Sequence, residues 1–299
     1  MISEGRAYLL LLLVIILWGM NWPMMKVGVE LTSPIWFTAI RLLLGAAVLY
    51  ALLGIQGRLV LPVRHDLPAF LTVAILQFAV GLGLVHVGLT NIEAGRSAIL
   101  AYTTPLWVVP LALLVLGERI TLPKAAGLLV GIIGLGVLFN PGSFDISDQG
   151  QVISNAMLIV SALALAVVII HMRRHNFVAT PLQLLPWQML TGGLLLAGVA
   201  LIVEGIPDIP LTGTMIGILA YNGPIATAFC LWAYATIMRS LPATSTAFGS
   251  LGVPVASMLF AALMLGEPLS ADKIIGLALI SGGVGILVFS DLNTKRRQN

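Results

Sequence analysis

The sequence predicts an all-α integral membrane protein of ten transmembrane helices, arranged as two inverted five-helix repeats. Three observations carry that prediction: the composition, a series of long apolar runs, and an internal duplication. Of 299 residues, 59% are hydrophobic and only 9% charged, and the mean hydropathy is +1.05. Soluble domains carry roughly 25% charged residues, so this chain has too little polar surface to coat a water-soluble globule. The apolar runs are continuous, as in Tyr8–Trp18, whereas strands of a membrane barrel would alternate apolar and polar residues. Helices are therefore the spanning elements.

Gly, Pro and charged clusters divide the chain into spans at 7–29, 34–53, 68–89, 95–115, 122–140, 152–172, 180–203, 212–237, 243–265 and 272–290. A hydrocarbon core of about 30 Å needs roughly 20 apolar residues per crossing. The opening MISEGRAYLLLLLVIILWGMNW has a longer apolar run than a signal peptide and lacks an A-x-A-like cleavage site, so it reads as a retained first span. Short connections make neighbouring helices antiparallel and leave no room for an extramembrane domain. Cys230 is the only cysteine, which excludes an intramolecular disulfide.

Loop cations set the orientation. Eleven Lys and Arg residues fall on the N-terminal side: Arg6, Arg58, Arg64, Arg119, Lys124, Arg173, Arg174, Arg239, Lys295, Arg296 and Arg297. Only three, Lys26, Arg96 and Lys273, fall on the other, and Arg41 lies within span two. Both termini are therefore expected in the cytoplasm, with the chain in the bacterial inner (plasma) membrane.

The duplication is visible at Gly117-Glu118 and Gly266-Glu267, 149 residues apart. At that offset, residues 103–139 align with 252–288 without gaps, and 12 of the 37 positions are identical. Shared apolar composition produces Leu and Ala matches, but not Pro105/Pro254, Gly117/Gly266, Glu118/Glu267 and Lys124/Lys273 in register. The expected units are residues 1–144 and 145–299. Five helices is an odd number, so the second unit lies upside down relative to the first. Inverted repeats are the usual architecture of alternating-access carriers, with the cargo site near the midplane.

Ten helices in two inverted repeats, a Gly-Glu ending spans four and nine, and an opening Trp18-Gly19-x-Asn21 together resemble the drug/metabolite transporter superfamily. The nearest branch is the ten-helix bacterial metabolite exporters of the EamA family, and within it the amino-acid exporters. The resemblance covers essentially the whole chain. It implies a central cavity lined by spans one, three, four, six, eight and nine. On those spans stand the candidate cargo-binding residues Trp18, Asn21, Trp22, Gln77, Tyr102, Ser161, Tyr221, Asn222 and Trp232. Trp18, Asn21 and Trp22 share one helix face by their i, i+3, i+4 spacing. A mostly apolar site with a few convergent polar groups suits a small molecule, although any one of these residues also serves as interhelical glue.

Pro105, Pro224 and Pro254 fall near the centres of spans four, eight and nine. Proline removes an intrahelical hydrogen bond, which frees a carbonyl and offers a flex point. The matched placement of Pro105 and Pro254 points to hinges. Glu118 and Glu267 read as helix-end anchors, accepting backbone N–H groups or pairing with a basic neighbour such as Lys124 or Lys273. Arg41 allows two readings, binding a cargo carboxylate or snorkelling to the outer rim. His86, near the outer end of span three, reads as an interfacial histidine or a titrating gate. The HMRRH of His171 and His175 has metal-compatible spacing, but no third ligand or acid stands beside it in sequence, so no metal is expected.

All twelve acids fall at helix ends or in loops. An intramembrane carboxylate is costly, by roughly 2.5–3.5 kcal/mol, and is kept for tasks such as proton relay. The four-helix multidrug branch of the superfamily relies on one, and this chain departs from that pattern. The expected function is export of small neutral or zwitterionic metabolites, amino acids with apolar or aromatic side chains foremost, by alternating access. The alternatives are proton-coupled multidrug efflux and a carrier of sugars or nucleosides. No cofactor is expected, since no Walker loop, HExxH or CxxC occurs. An intramembrane enzyme lacks clustered midplane nucleophiles, acids or metal ligands. The expected partners are a small-molecule substrate and the lipid bilayer, with no nucleic acid, the chain acting as a monomer or weak homodimer.

Overall fold

The computed structural model describes residues 3–117, 121–138, 147–241 and 249–296, with side chains through Ser290. Ten helices run through them: α1 (Glu4–Leu31), α2 (Pro34–Ile55), α3 (Arg64–Leu89), α4 (Ala94–Leu116), α5 (Leu122–Leu138), α6 (Gln149–Arg174), α7 (Pro181–Val203), α8 (Gly213–Ser240), α9 (Gly252–Leu265) and α10 (Ala271–Arg296). Eight contain stretches long and apolar enough to cross a membrane, and α5 and α9 are shorter apolar helices. Most boundaries fall within a few residues of those expected. The expected span 243–265 begins outside the described residues.

Local chemistry explains the helix ends. Pro34 opens α2 at a position whose N–H has no helical partner in any case. Thr180 and Gln183 form a reciprocal capping box at the start of α7. α4 and α9 both stop at a glycine in the left-handed region, Gly117 at φ 66° and Gly266 at φ 70°, a conformation other residues rarely tolerate. The two copies thus share their terminator as well as their sequence.

Helix packing follows the duplication. Three self-equivalent pairs, α5 with α10, α2 with α7 and α4 with α9, pack on each other. Three further pairs of contacts match: α1 on α9 mirrors α6 on α4, α1 on α8 mirrors α6 on α3, and α2 on α8 mirrors α7 on α3. Leu114 and Leu263, equivalent by the offset, are 79% and 81% exposed, an arrangement that suits lipid and not water.

Several carboxylates sit where one half meets a helix start of the other. Glu204, ending α7, accepts the backbone N–H groups of Ile35 and Trp36 at 2.9 and 3.0 Å. Glu267, beyond α9, accepts those of Ala94 and Gly95 at 2.6 and 3.0 Å. Asp66 accepts Val178 N–H and Ala179 N–H just before α7, at 3.1 and 2.8 Å. Each satisfies amides at or near a helix start and complements the positive end of its dipole. Glu118 lies outside the described residues.

Two features depart from regular α-helices. Val73–Leu82 of α3 and Tyr221–Phe229 of α8 are wound as π-helix, in corresponding parts of the two halves. Such widened turns are rare and favour functional sites. The expected mid-helix kinks also differ in form. α4 breaks at Tyr102–Thr103 and restarts at Thr104, with Pro105 in its first turn; Pro254 likewise lies in the first turn of α9, after a break at Leu251. Proline is placed there because the first turn needs no N–H donor from it. Pro224 lies within the π segment of α8.

Candidate functional site

At the end of the molecule opposite the N-terminus, helix ends from both halves enclose a cleft of about 520 Å³. Lys26 and Glu30 of α1, residues 90–93 between α3 and α4, Arg96 of α4, Gln151 of α6, and Leu265 and Glu267 at the end of α9 line it. Both signs of charge are present. Lys26 Nζ donates to the carbonyls of Leu89 and Thr90, both at 2.9 Å, and pairs with Glu30 at 3.5 Å. Lys273 pairs with Glu93. Arg96 Nε donates to Asn155 Oδ1 at 3.0 Å, and its Nη2 donates to Leu138 O. The volume lies in the range of small-molecule sites.

Deeper along α1 and α3 lies a buried polar cluster centred on Arg41. Its guanidinium donates to Met25 Sδ at 2.8 Å, to His86 Nε2 at 3.1 Å and to Thr227 Oγ1 at 2.9 Å. His86 Nδ1 donates to Leu82 O at 2.7 Å. A carbonyl can only accept, so Nε2 is the acceptor and the imidazole is neutral. Among the described residues Arg41 has no carboxylate partner, and its Nε has no hydrogen-bond partner. It does not snorkel to the rim: α2 packs against α3, α7 and α8, which turns this side chain inward and buries it. A cation within a span costs roughly 2.5–3.5 kcal/mol by insertion scales. His86 is likewise fully buried and stacks on Phe37 at 5.4 Å, away from any interface with solvent.

Asn21 and Asn222 flank the same cluster. Asn21 Nδ2 donates to Met25 Sδ at 3.2 Å, and Asn222 Nδ2 donates to Ile218 O at 3.1 Å. The amide oxygen of each is buried without a donor. Leaving a buried acceptor unpaired costs about 1–3 kcal/mol.

Most of the other candidate residues hold the walls together. Tyr221 donates its hydroxyl to Leu17 O at 2.6 Å, and Trp18 Nε1 donates to Ala226 O at 2.8 Å, so both tie α1 to α8. Ser161 donates to Gly81 O at 2.9 Å, which ties α6 to α3. The carbonyls of Ala226 and Gly81 belong to π segments, and their donors, Trp18 and Ser161, each come from the first helix of the opposite half. Trp22 lies in the central apolar cluster, with Tyr102 packed against it. Trp232 stacks near Phe229 at 5.9 Å, and Trp18 near Tyr234 at 5.3 Å. Gln77 is partly exposed on the α3 π segment, with no hydrogen-bond partner among the described residues. Trp18, Asn21, Tyr221 and Asn222 thus gather at the α1–α8 junction, while Ser161 and Gln77 belong to α6 and α3.

At the N-terminal end, HMRRH does acquire an acid and a further imidazole in space. Asp66 Oδ1 accepts from His175 Nε2 at 3.0 Å and from His65 Nδ1 at 3.3 Å. The ligating atoms of these three residues lie within 4.8 Å of one another. With its two backbone donors as well, Asp66 is fully engaged as an anchor for the α6–α7 connection. His171 instead donates Nδ1–H to Thr72 Oγ1 at 2.7 Å, since that hydroxyl already donates to Pro68 O.

Membrane-spanning helices in two matched halves, with a cleft between them, define a multi-pass membrane transporter. Residues 5–140 and 152–289 each match the EamA-like transporter family, and the chain belongs to it. The chain is 25% identical over 277 residues to the "Uncharacterized transporter YoaV" of Bacillus subtilis, covering 93% of this chain and 94% of that protein. It is 28% identical to the "Uncharacterized inner membrane transporter YedA" of Escherichia coli, covering 92% and 86%. It is 27% identical to the "Probable amino-acid metabolite efflux pump" of Salmonella typhimurium, covering 94% of each. A solved crystal structure matches with a TM-score of 0.66 at 23% identity, covering 99% of this chain and 100% of its own, which is a likeness of fold.

Proposed function

We propose that this transporter exports small neutral or zwitterionic metabolites, foremost amino acids with apolar or aromatic side chains, by rocking one half against the other. The observation that carries this reading is the cleft between the halves. It offers both signs of charge at its rim and unpaired amide oxygens of Asn21 and Asn222 beneath. A zwitterion has a complement for each. A cationic drug would need a carboxylate in the span, and the acids described here stand at helix ends. The efflux pump of Salmonella typhimurium is similar along its length, which supports the same cargo class. The halves divide near residues 144 and 145, the loop cations put both termini in the cytoplasm, and the cleft then faces outward. The chain acts as a monomer or weak homodimer.

The test is counterflow in proteoliposomes across amino acids, sugars, nucleosides and cationic dyes. Exchange of apolar amino acids, insensitive to collapse of a pH gradient, is the expected result. Flux of dyes alone, abolished when the gradient is dissipated, would establish proton-coupled drug efflux instead.

A further inference from the structure

Arg41, Asn21 and Asn222 are each more than nine-tenths buried, at 4%, 5% and 0% exposure, and each keeps one polar atom unused. The unused atoms are one donor, Arg41 Nε, and two acceptors, the asparagine Oδ1 atoms. Shared hydrogen-bond partners link the three residues. Met25 Sδ receives hydrogen bonds from both Asn21 and Arg41. Thr227 Oγ1 receives Arg41 and donates to Asn222 O at 2.6 Å. The groups come from α1 and α2 of one half and α8 of the other. We propose that Arg41 binds the carboxylate of the cargo while Asn21 and Asn222 accept its ammonium group, in a site below the cleft.

The chemistry matches on both sides. A guanidinium presents a planar fork to a carboxylate, and an α-ammonium brings three N–H donors that two amide oxygens can share. The thioether of Met25, a weak acceptor, occupies two of the donors here and is readily exchanged for a carboxylate. A cationic cargo would meet the uncompensated charge of Arg41, and an uncharged one would leave it unpaired. Access runs from the cleft. Thr90, on its floor, lies four residues beyond His86 in the chain, about 6 Å at 1.5 Å per helical residue. Lys26 closes the gap between α1 and the end of α3 there through its bonds to Leu89 O and Thr90 O.

This inference rests on the amino-acid reading, and the experiment separates the two. Counterflow is measured with L-leucine, with leucinamide, which lacks the carboxylate, and with isocaproate, which lacks the ammonium. The wild type is expected to favour leucine over both in KM by at least about tenfold, as a site built on hydrogen bonds discriminates. Arg41→Gln should exchange leucine and leucinamide with equal KM, while Arg41→Lys keeps the preference with a raised KM. Asn21→Ala and Asn222→Ala should lose discrimination against isocaproate. An Arg41→Gln variant that still prefers leucine over leucinamide overturns the assignment. Should that variant fail to fold, the thermal midpoint of the wild type decides: leucine should raise it and leucinamide should not, and equal shifts overturn the proposal. Wild-type exchange of an organic anion other than an amino acid, with discrimination lost in Arg41→Gln, overturns the amino-acid reading and leaves Arg41 in place. Exchange confined to cargo without a carboxylate overturns both.

Discussion

The α5–α10 seam and the α1–α8 junction come from the same duplicated unit, yet they are built on opposite principles. At the seam the backbones touch through glycine. A Cβ placed on Gly283 would lie 2.6 Å from both Gly127 O and Gly131 N, and one on Gly134 would lie 2.7 Å from Leu279 Cβ. Around these contacts pack Leu138, Leu277, Ile280, Val284 and Leu287, all buried. At the junction a side-chain donor of α1 bonds a π-segment carbonyl, a π-segment hydroxyl bonds a carbonyl of α1, and polar atoms are left unpaired. The seam joins a helix to its own copy, so close apolar packing that suits one suits both. The junction joins helices that are not copies of each other, and their residues are free to diverge toward a cargo.

That contrast can be broken by substitution. If the seam is scaffold, changes there should move stability and leave cargo KM alone. Gly283→Ala has the largest expected effect, a destabilisation of about 3 kcal/mol or more, because its neighbours are backbone and cannot swing aside. A thermal midpoint in detergent reads it, and the folded fraction should exchange leucine with unchanged KM. Asp66→Ala comes next, at about 2–3 kcal/mol, because it strands the amides of Val178 and Ala179 together with His175. Divalent metal added to the wild type should not move the midpoint through this site if Asp66 is an anchor alone. Glu267→Ala is expected to cost about 1 kcal/mol by uncapping α4, with Glu267→Gln retaining part of it. The smallest effect is Ser161→Ala, about 0.5–1.5 kcal/mol for the lost bond to Gly81 O. A fall in exchange larger than its fall in stability would move Ser161 from wall to site.

The fold was legible because the bilayer leaves few choices. Backbone groups must be paired within each span, which fixes helices, and Gly, Pro and charge mark where spans stop. The Gly-Glu pair marked the duplication because both halves end a helix in the same left-handed turn. The site was partly legible. The spacing of Trp18, Asn21 and Trp22 put them on one face, and Asn21 does meet the cluster that also receives Asn222. Arg41 was visible as a lone cation in a span, but the resemblance had placed its helix outside the cavity, and only packing shows it turned inward. Asp66 stands 109 residues from His175, so no local pattern could join them. The π winding of Val73–Leu82 left no signal in its run of apolar residues, and the Ser161 bond to its Gly81 carbonyl comes from a helix 80 residues away. Pro105 and Pro254 start a second helical piece instead of sitting mid-helix, and that role depends on a break just upstream.

On the proposed reading, the polar atoms left unpaired at the α1–α8 junction serve cargo and not the fold. Asn222→Leu tests it most directly, because leucine retains the branching at Cγ while removing the unpaired oxygen. Leucine exchange and the thermal midpoint would be measured on the same preparation. A midpoint equal to or above that of the wild type is expected, with exchange reduced at least about tenfold, since removing an unsatisfied buried group stabilises while the cargo loses a partner. Wild-type exchange at an unchanged midpoint would contradict it.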